Sequence, residues 1–164
     1  MRTALRRELT DWRRLCPIIE HVWKHPGDIS AMAISPNGEL LATTCSDNHL
    51  RIWNLSTAKL LKKISVGSPT TVAFAQGDDT IVTGDDSGNI QLWNATDYKE
   101  SFEFTGVCNS VNSISVDQTG ERLAVAGSND KIAILDLSLR KAVAEFQFPG
   151  RANVVAFHPQ KDQL

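Results

Sequence analysis

The chain has 164 residues, 41% hydrophobic and 22% charged, with a net charge of −2. That is enough apolar material for one core, and too little charge imbalance for a strong basic grip on nucleic acid or an anionic membrane. No apolar run approaches the ~18 residues of a spanning helix, and the basic N-terminus (Arg2, Arg6, Arg7) lacks the apolar stretch of a secretory signal. The three cysteines, Cys16, Cys45 and Cys108, are odd in number, far apart and without a CxxC pair. The expected setting is therefore reducing and intracellular, cytoplasm or nucleus.

The first 24 residues support two readings. Leu5, Leu9, Trp12 and Cys16 fall at i, i+4, i+7 and i+11 with arginines opposite, which is amphipathic-helix spacing. Alternatively, Trp12 lies 41 residues before Trp53 and residues 17–23 stand where a fourth strand would, so the chain opens inside an earlier unit. Pro17 would end a helix in either case.

A first unit spans 25–66. Strands are expected at 29–34, 40–45, 50–53 and 59–66. Ser35-Pro36-Asn37-Gly38 and Ser46-Asp47-Asn48 supply the fixed and positive φ angles of tight turns. A second unit, 67–106, repeats this with strands at 72–74, 80–83, 90–93 and 100–105. A third, 107–148, has strands at 111–116, 122–126, 131–136 and 142–148. A fourth begins at 149 and is cut short at 164. Small residues at the centres of the first strands, Ala33, Ala73, Ser115 and Ala156, suit a crowded hub.

Two columns bind these units together. Ile34, Phe74, Val116 and Phe157 recur at steps of 40, 42 and 41, and Trp53, Trp93 and Leu135 follow the first three by nineteen. Such a period marks an array of supersecondary units, here all-β and four short strands each.

These residues resemble the WD40 repeat family. The first unit carries the match best: His25, Ile29, then AISPNGELLATTCSDNHLRIWNL ending at Leu55. Lys24 stands where the family has Gly, and Asn54 where it has the final Asp. The resemblance implies a β-propeller segment, with about three full four-stranded blades and partial blades at both ends. It also implies that the remaining blades come from a longer chain or another copy. It further implies a buried hydrogen-bond network of His25, Thr43, Asp47 and Trp53, in which the carboxylate orients the imidazole. The second unit keeps Thr83 and Trp93 but has Ser65 and Ser87 at the His and Asp places. The third has Val107, Val125, Asn129 and Leu135, so its network is gone and apolar packing must serve. The strings AEFQFPGRANVVAFHPQKDQL and SVDQTGERLAVAG are similar to late repeats of cirhin-type WD proteins of nucleolar small-subunit processing assemblies.

No GxGxxG, GxxxxGK[ST], HExxH or GxSxG motif occurs, and the histidines have no ligand-like spacing. No cofactor, metal site or catalytic role is therefore expected. The acidic turns Asp78-Asp79 and Asp85-Asp86 lack EF-hand spacing and read as solvated. Lys59, Lys62 and Lys63 read as charges that guard an outer edge strand. The expected function is a non-catalytic scaffold binding other proteins in a multi-subunit assembly, with a ribosomal small-subunit processing complex as the alternative. Direct nucleic-acid binding and membrane insertion are not expected. Family positions make Asp28, Ser46, Asn48, Thr70, Asp86, Asn109, Ser128 and Arg151 the candidate partner contacts.

Overall fold

The computed structural model describes residues 22–158. The alternatives for residues 3–15, most of the 17–23 reading and residues 159–164 lie outside them. Twelve strands follow in chain order: β1 (Ile29–Ile34), β2 (Leu40–Cys45), β3 (His49–Asn54), β4 (Leu60–Ser65), β5 (Pro69–Ala75), β6 (Thr80–Asp85), β7 (Ile90–Asn94), β8 (Glu100–Phe104), β9 (Val111–Val116), β10 (Arg122–Gly127), β11 (Lys131–Asp136) and β12 (Lys141–Gln147). They form three antiparallel four-stranded meanders: β1 to β4, β5 to β8 and β9 to β12.

All three outer strands stop one residue earlier than the sequence pattern suggests, two of them for the same reason. The Val66 amide leaves the ladder and donates to the Asn48 carbonyl, and Phe148 N donates to Asp130 O. At the other extreme β5 runs three residues further back than expected. Proline loses nothing as the first residue of a strand, and Pro69 pairs with Asp85.

The sheets are held face to face by apolar residues. The back of the first sheet offers Ala42, Leu50 and Ile52, and the second sheet covers them with Val72, Phe74, Ile81 and Trp93. The back of the second sheet offers Val82, Ile90, Leu92 and Phe104 to Leu123, Leu135 and Leu137 of the third. Leu50, Ile52, Ile81, Ile90 and Leu123 are wholly buried. Each such side chain contributes on the order of 1.5–3 kcal/mol by leaving water. On the back of the third sheet, Ala124, Ala126 and Ile134 meet only Val155 and its neighbours, while Phe146, Phe148 and Val154 stay exposed.

Polar bonds also join neighbouring units. Gln76 N donates to Gly120 O at 2.9 Å, and Phe157 N to Ser115 Oγ at 3.0 Å. Asn112 Nδ2 donates to Ala152 O at 2.9 Å. Residues 152–157 thus lie along the third sheet as a fourth first strand would, with no ladder of their own.

The turns repeat in their backbone angles as well. Asn48, Gly88 and Asp130, each in the turn between a second and third strand, have φ of 62°, 82° and 59°. Gly88 has no room for a side chain, because a Cβ there would lie 1.7 Å from the Cys108 carbonyl oxygen. Gly38, with φ 74°, faces open space.

Gly38→Ala should therefore cost only its backbone strain, about 1–2 kcal/mol. Gly88→Ala should cost more than ~3 kcal/mol by forcing the Cys108 segment away, an effect outside the usual range for point changes. Urea unfolding of both variants checks the order; equal losses would contradict the close approach.

Candidate interaction face

The site is built around the first sheet. Thr43, in β2, is buried, and its hydroxyl oxygen accepts Trp53 Nε1–H at 3.0 Å and lies 2.8 Å from His25 Nε2. The His25 ring stands 5.4 Å from the Trp53 ring, and its Nδ1 lies 3.4 Å from the Trp23 carbonyl oxygen. The second sheet repeats the inner half, with Trp93 Nε1 donating to Thr83 Oγ1 at 3.0 Å. In the third, Val125 and Leu135 occupy those places as buried apolar residues.

Asp47 departs from the expected network. Its carboxylate is not turned to His25 but clasps Arg51, accepting from Nη1 at 3.0 Å and from Nη2. The reason is solvation: the guanidinium lies on β3 between Leu50 and Ile52 and is nearly buried, so it demands a carboxylate more strongly than a neutral imidazole does. An arginine flanked by Leu50, Ile52 and Trp53 was the available signal. His49 Nδ1 adds a bond to the Asp47 carbonyl at 2.6 Å. The hydrogen bonds from Arg51 hold the Asp47 carboxyl well below its ordinary 3.8, against the opposing effect of burial.

At the end of the sheets where second strands turn into third strands, one pair of backbone bonds recurs. Ser46 N donates to Asp28 O, Asp86 N to Ser68 O and Ser128 N to Ser110 O, at 2.8, 3.1 and 3.0 Å. The partner bonds are Val66 N to Asn48 O, Val107 N to Gly88 O and Phe148 N to Asp130 O. Each turn is thereby stitched to the segments that enter and leave its sheet. This leaves Asp28, Ser46, Asn48, Asp86, Asn109 and Arg151 exposed and Ser128 half-buried at loop positions. Thr70 is different. It is half-buried, and its hydroxyl lies 2.6 Å from the Val111 carbonyl and 3.1 Å from that of Gly84. Its polar group ties the second sheet to the third.

At the opposite end, Asn54, Asn94 and Asp136 close the turns after the third strands. The Asn54 side-chain oxygen accepts from Thr57 N at 2.8 Å, that of Asn94 from Thr96 N at 2.7 Å, and that of Asp136 from Leu139 N at 2.8 Å. Asparagine supplies the same acceptor as aspartate there. Among the described residues no group of His, Cys, Asp and Glu could hold a metal ion, and no helix is long and apolar enough to cross a membrane.

The family model of the WD domain, G-beta repeat, matches residues 18–54 and 60–94, each match ending just after Trp53 or Trp93. The chain carries WD40 repeats at these two positions. Its three sheets form a WD40 β-propeller segment. The WD40 chain is 35% identical over 66 residues to a ribosome biogenesis protein BOP1 homolog of Leishmania infantum, covering 38% of this chain and 8% of that protein. It is 30% identical over 106 residues to U3 small nucleolar RNA-associated protein 12 of Saccharomyces cerevisiae, covering 63% and 11%. It spans about a tenth of the length of these two relatives. The solved structure of U3-55K superposes with a TM-score of 0.73 over 79% of this chain and 42% of that one. At 14% identity that likeness is one of fold.

Asp47→Ala should destabilise by on the order of 1–3 kcal/mol, because it strands the buried Arg51. Asp86→Ala, at an exposed turn, should stay within about 0.5 kcal/mol. Adding Arg51→Leu to Asp47→Ala should recover part of the loss. The Asp47 contribution is fully present above its ordinary titration range and fades as pH falls below about 4, since its folded value is depressed. Acid titration of wild type and Asp47→Ala followed by circular dichroism checks this; parallel curves would contradict it.

Proposed function

We propose that this chain is a non-catalytic scaffold segment that binds protein partners within an intracellular multi-subunit assembly. Binding uses the stitched turn face, through Asp28, Ser46, Asn48, Asp86, Asn109, Ser128 and Arg151. The observation that carries this reading is the repeated pair of backbone bonds in every sheet. Preformed loops lose little freedom on binding, and that is what a docking platform needs. The repeat boundaries at 25–66, 67–106 and 107–148 belong to the same reading. His25, Thr43 and Trp53 hold the first blade in shape.

The names of two relatives favour a more particular setting. One is a ribosome biogenesis protein and the other a U3 small nucleolar RNA-associated protein. We propose that the assembly is a nucleolar ribosome-processing complex in which this chain grips protein rather than RNA, since its net charge of −2 offers no phosphate-binding field. Affinity capture followed by mass spectrometry decides between assemblies. Ribosome-processing factors support this setting, and a different defined complex overturns it.

Charge reversal at Asp28, Asp86 and Arg151 together should abolish partner capture and leave the circular dichroism spectrum unchanged. Substituting Lys62 and Lys63, on the outer strand β4, together with Lys59 just before it, should matter less. Retained capture by the loop variant alongside loss by the lysine variant would show the face to be wrongly placed.

A further inference from the structure

We propose that His25 is a pH-gated latch that holds residues 23–28, and with them one margin of the turn face, against the first sheet. The direction of each hydrogen bond follows from its chemistry. Indole nitrogen can only donate, so Trp53 Nε1–H gives its proton to Thr43 Oγ1. A carbonyl oxygen can only accept, so the contact from His25 Nδ1 to Trp23 O places the imidazole proton on Nδ1. Neutral His25 then has a bare Nε2, and the single Thr43 hydroxyl proton points to it across 2.8 Å. The relay runs one way, from Trp53 through Thr43 and His25 to the Trp23 carbonyl, and every donor is used.

A second proton on the imidazole breaks it. Nε2–H would then face the Thr43 oxygen, and the buried Thr43 hydroxyl would lose its only acceptor. A carboxylate on the imidazole would compensate, but the nearest family candidate is spent, because Asp47 holds Arg51. The titratable and charged groups on the elements around His25 are Lys24 and Asp28 beside it in the chain, Cys45 ending β2, Asp47 and His49 at the turn and Arg51 on β3. None of them bonds either imidazole nitrogen. The second sheet is an internal control, since Thr83 accepts Trp93 Nε1–H in the same way and Ser65 stands at the histidine place.

The latch reaches the turn face through Asp28. Its amide donates to Ser46 Oγ at 3.0 Å and its carbonyl accepts Ser46 N at 2.8 Å. Opening residues 23–28 frees both Asp28 and Ser46. The consequence for binding rests on the function proposed above; the latch itself does not.

Amide hydrogen exchange on the free full chain at pH 7.5 and pH 5.0, corrected for intrinsic rates, tests it. These values bracket the range in which histidine ordinarily gains a proton. Protection at Asp28 and Ser46 should fall about tenfold at the lower pH, as expected for loss of one buried hydrogen bond. Protection at Asp86, bonded to Ser68 in the second sheet, should hold. His25→Gln keeps an acceptor for Thr43 and does not titrate, so it should retain protection at both pH values. His25→Ala should show the low-pH behaviour already at pH 7.5. Equal wild-type protection at the two pH values, or the same pH-dependent loss in His25→Gln, overturns the proposal. Exchange is read without any partner, so a latch that works beside partner capture indifferent to pH would fault the binding face and not the latch.

Discussion

The structure depends on one constraint: a twisted four-stranded meander with apolar residues on both faces has no way to cover itself. Its only cover is another sheet of the same design. That requirement forces a spacing of about forty residues, because each unit must deliver its large apolar side chains at the same height as its neighbour. Leu50 and Ile90 are wholly buried, and both sit at the same place in their sheets. Ile132, the third member of that column, is only partly covered. Phe104 is buried, whereas its counterpart Phe146 is 46% exposed. The chemistry of the faces is unchanged along the array; what differs is whether a sheet follows.

Apolar contact is non-directional, so it does not decide where loops point. That falls to polar groups with few alternatives. A positive φ at Asn48, Gly88 and Asp130 turns each carbonyl toward the outgoing segment of its sheet, which supplies the matching amide. At the far end, Asn54, Asn94 and Asp136 do the same work with a side-chain oxygen. Packing therefore sets the frame, and turn chemistry fixes the loops at its two ends.

Much of this was legible in the residues. The recurring Ile34, Phe74, Val116 and Phe157 column and the Trp53, Trp93 and Leu135 column placed the strands; the second column is buried throughout, whereas in the first Phe74 is buried and Ile34 is 59% exposed. The half of the polar network that depends only on a buried indole was also legible in Trp53 with Thr43 and Trp93 with Thr83. Asp47 was not. The family resemblance put it beside an imidazole, but a buried guanidinium two turns of the pleat away competes for the same carboxylate and wins on solvation. Thr70 shows a related gap: local spacing gives no sign of the neighbouring sheet's Val111 carbonyl beside its hydroxyl. Both cases concern partners brought in by tertiary structure, which local spacing does not encode.

Stability in such an array should spread from sheet to sheet rather than reside in each one. Native-state hydrogen exchange of Leu92→Ala is the most direct test. Leu92 lies on β7 but is buried in the cluster that joins the second sheet to the third. Amides of β7 and β11 should lose protection together, while those of β3 lose much less. Loss confined to the second sheet, with β11 unaffected, would contradict it.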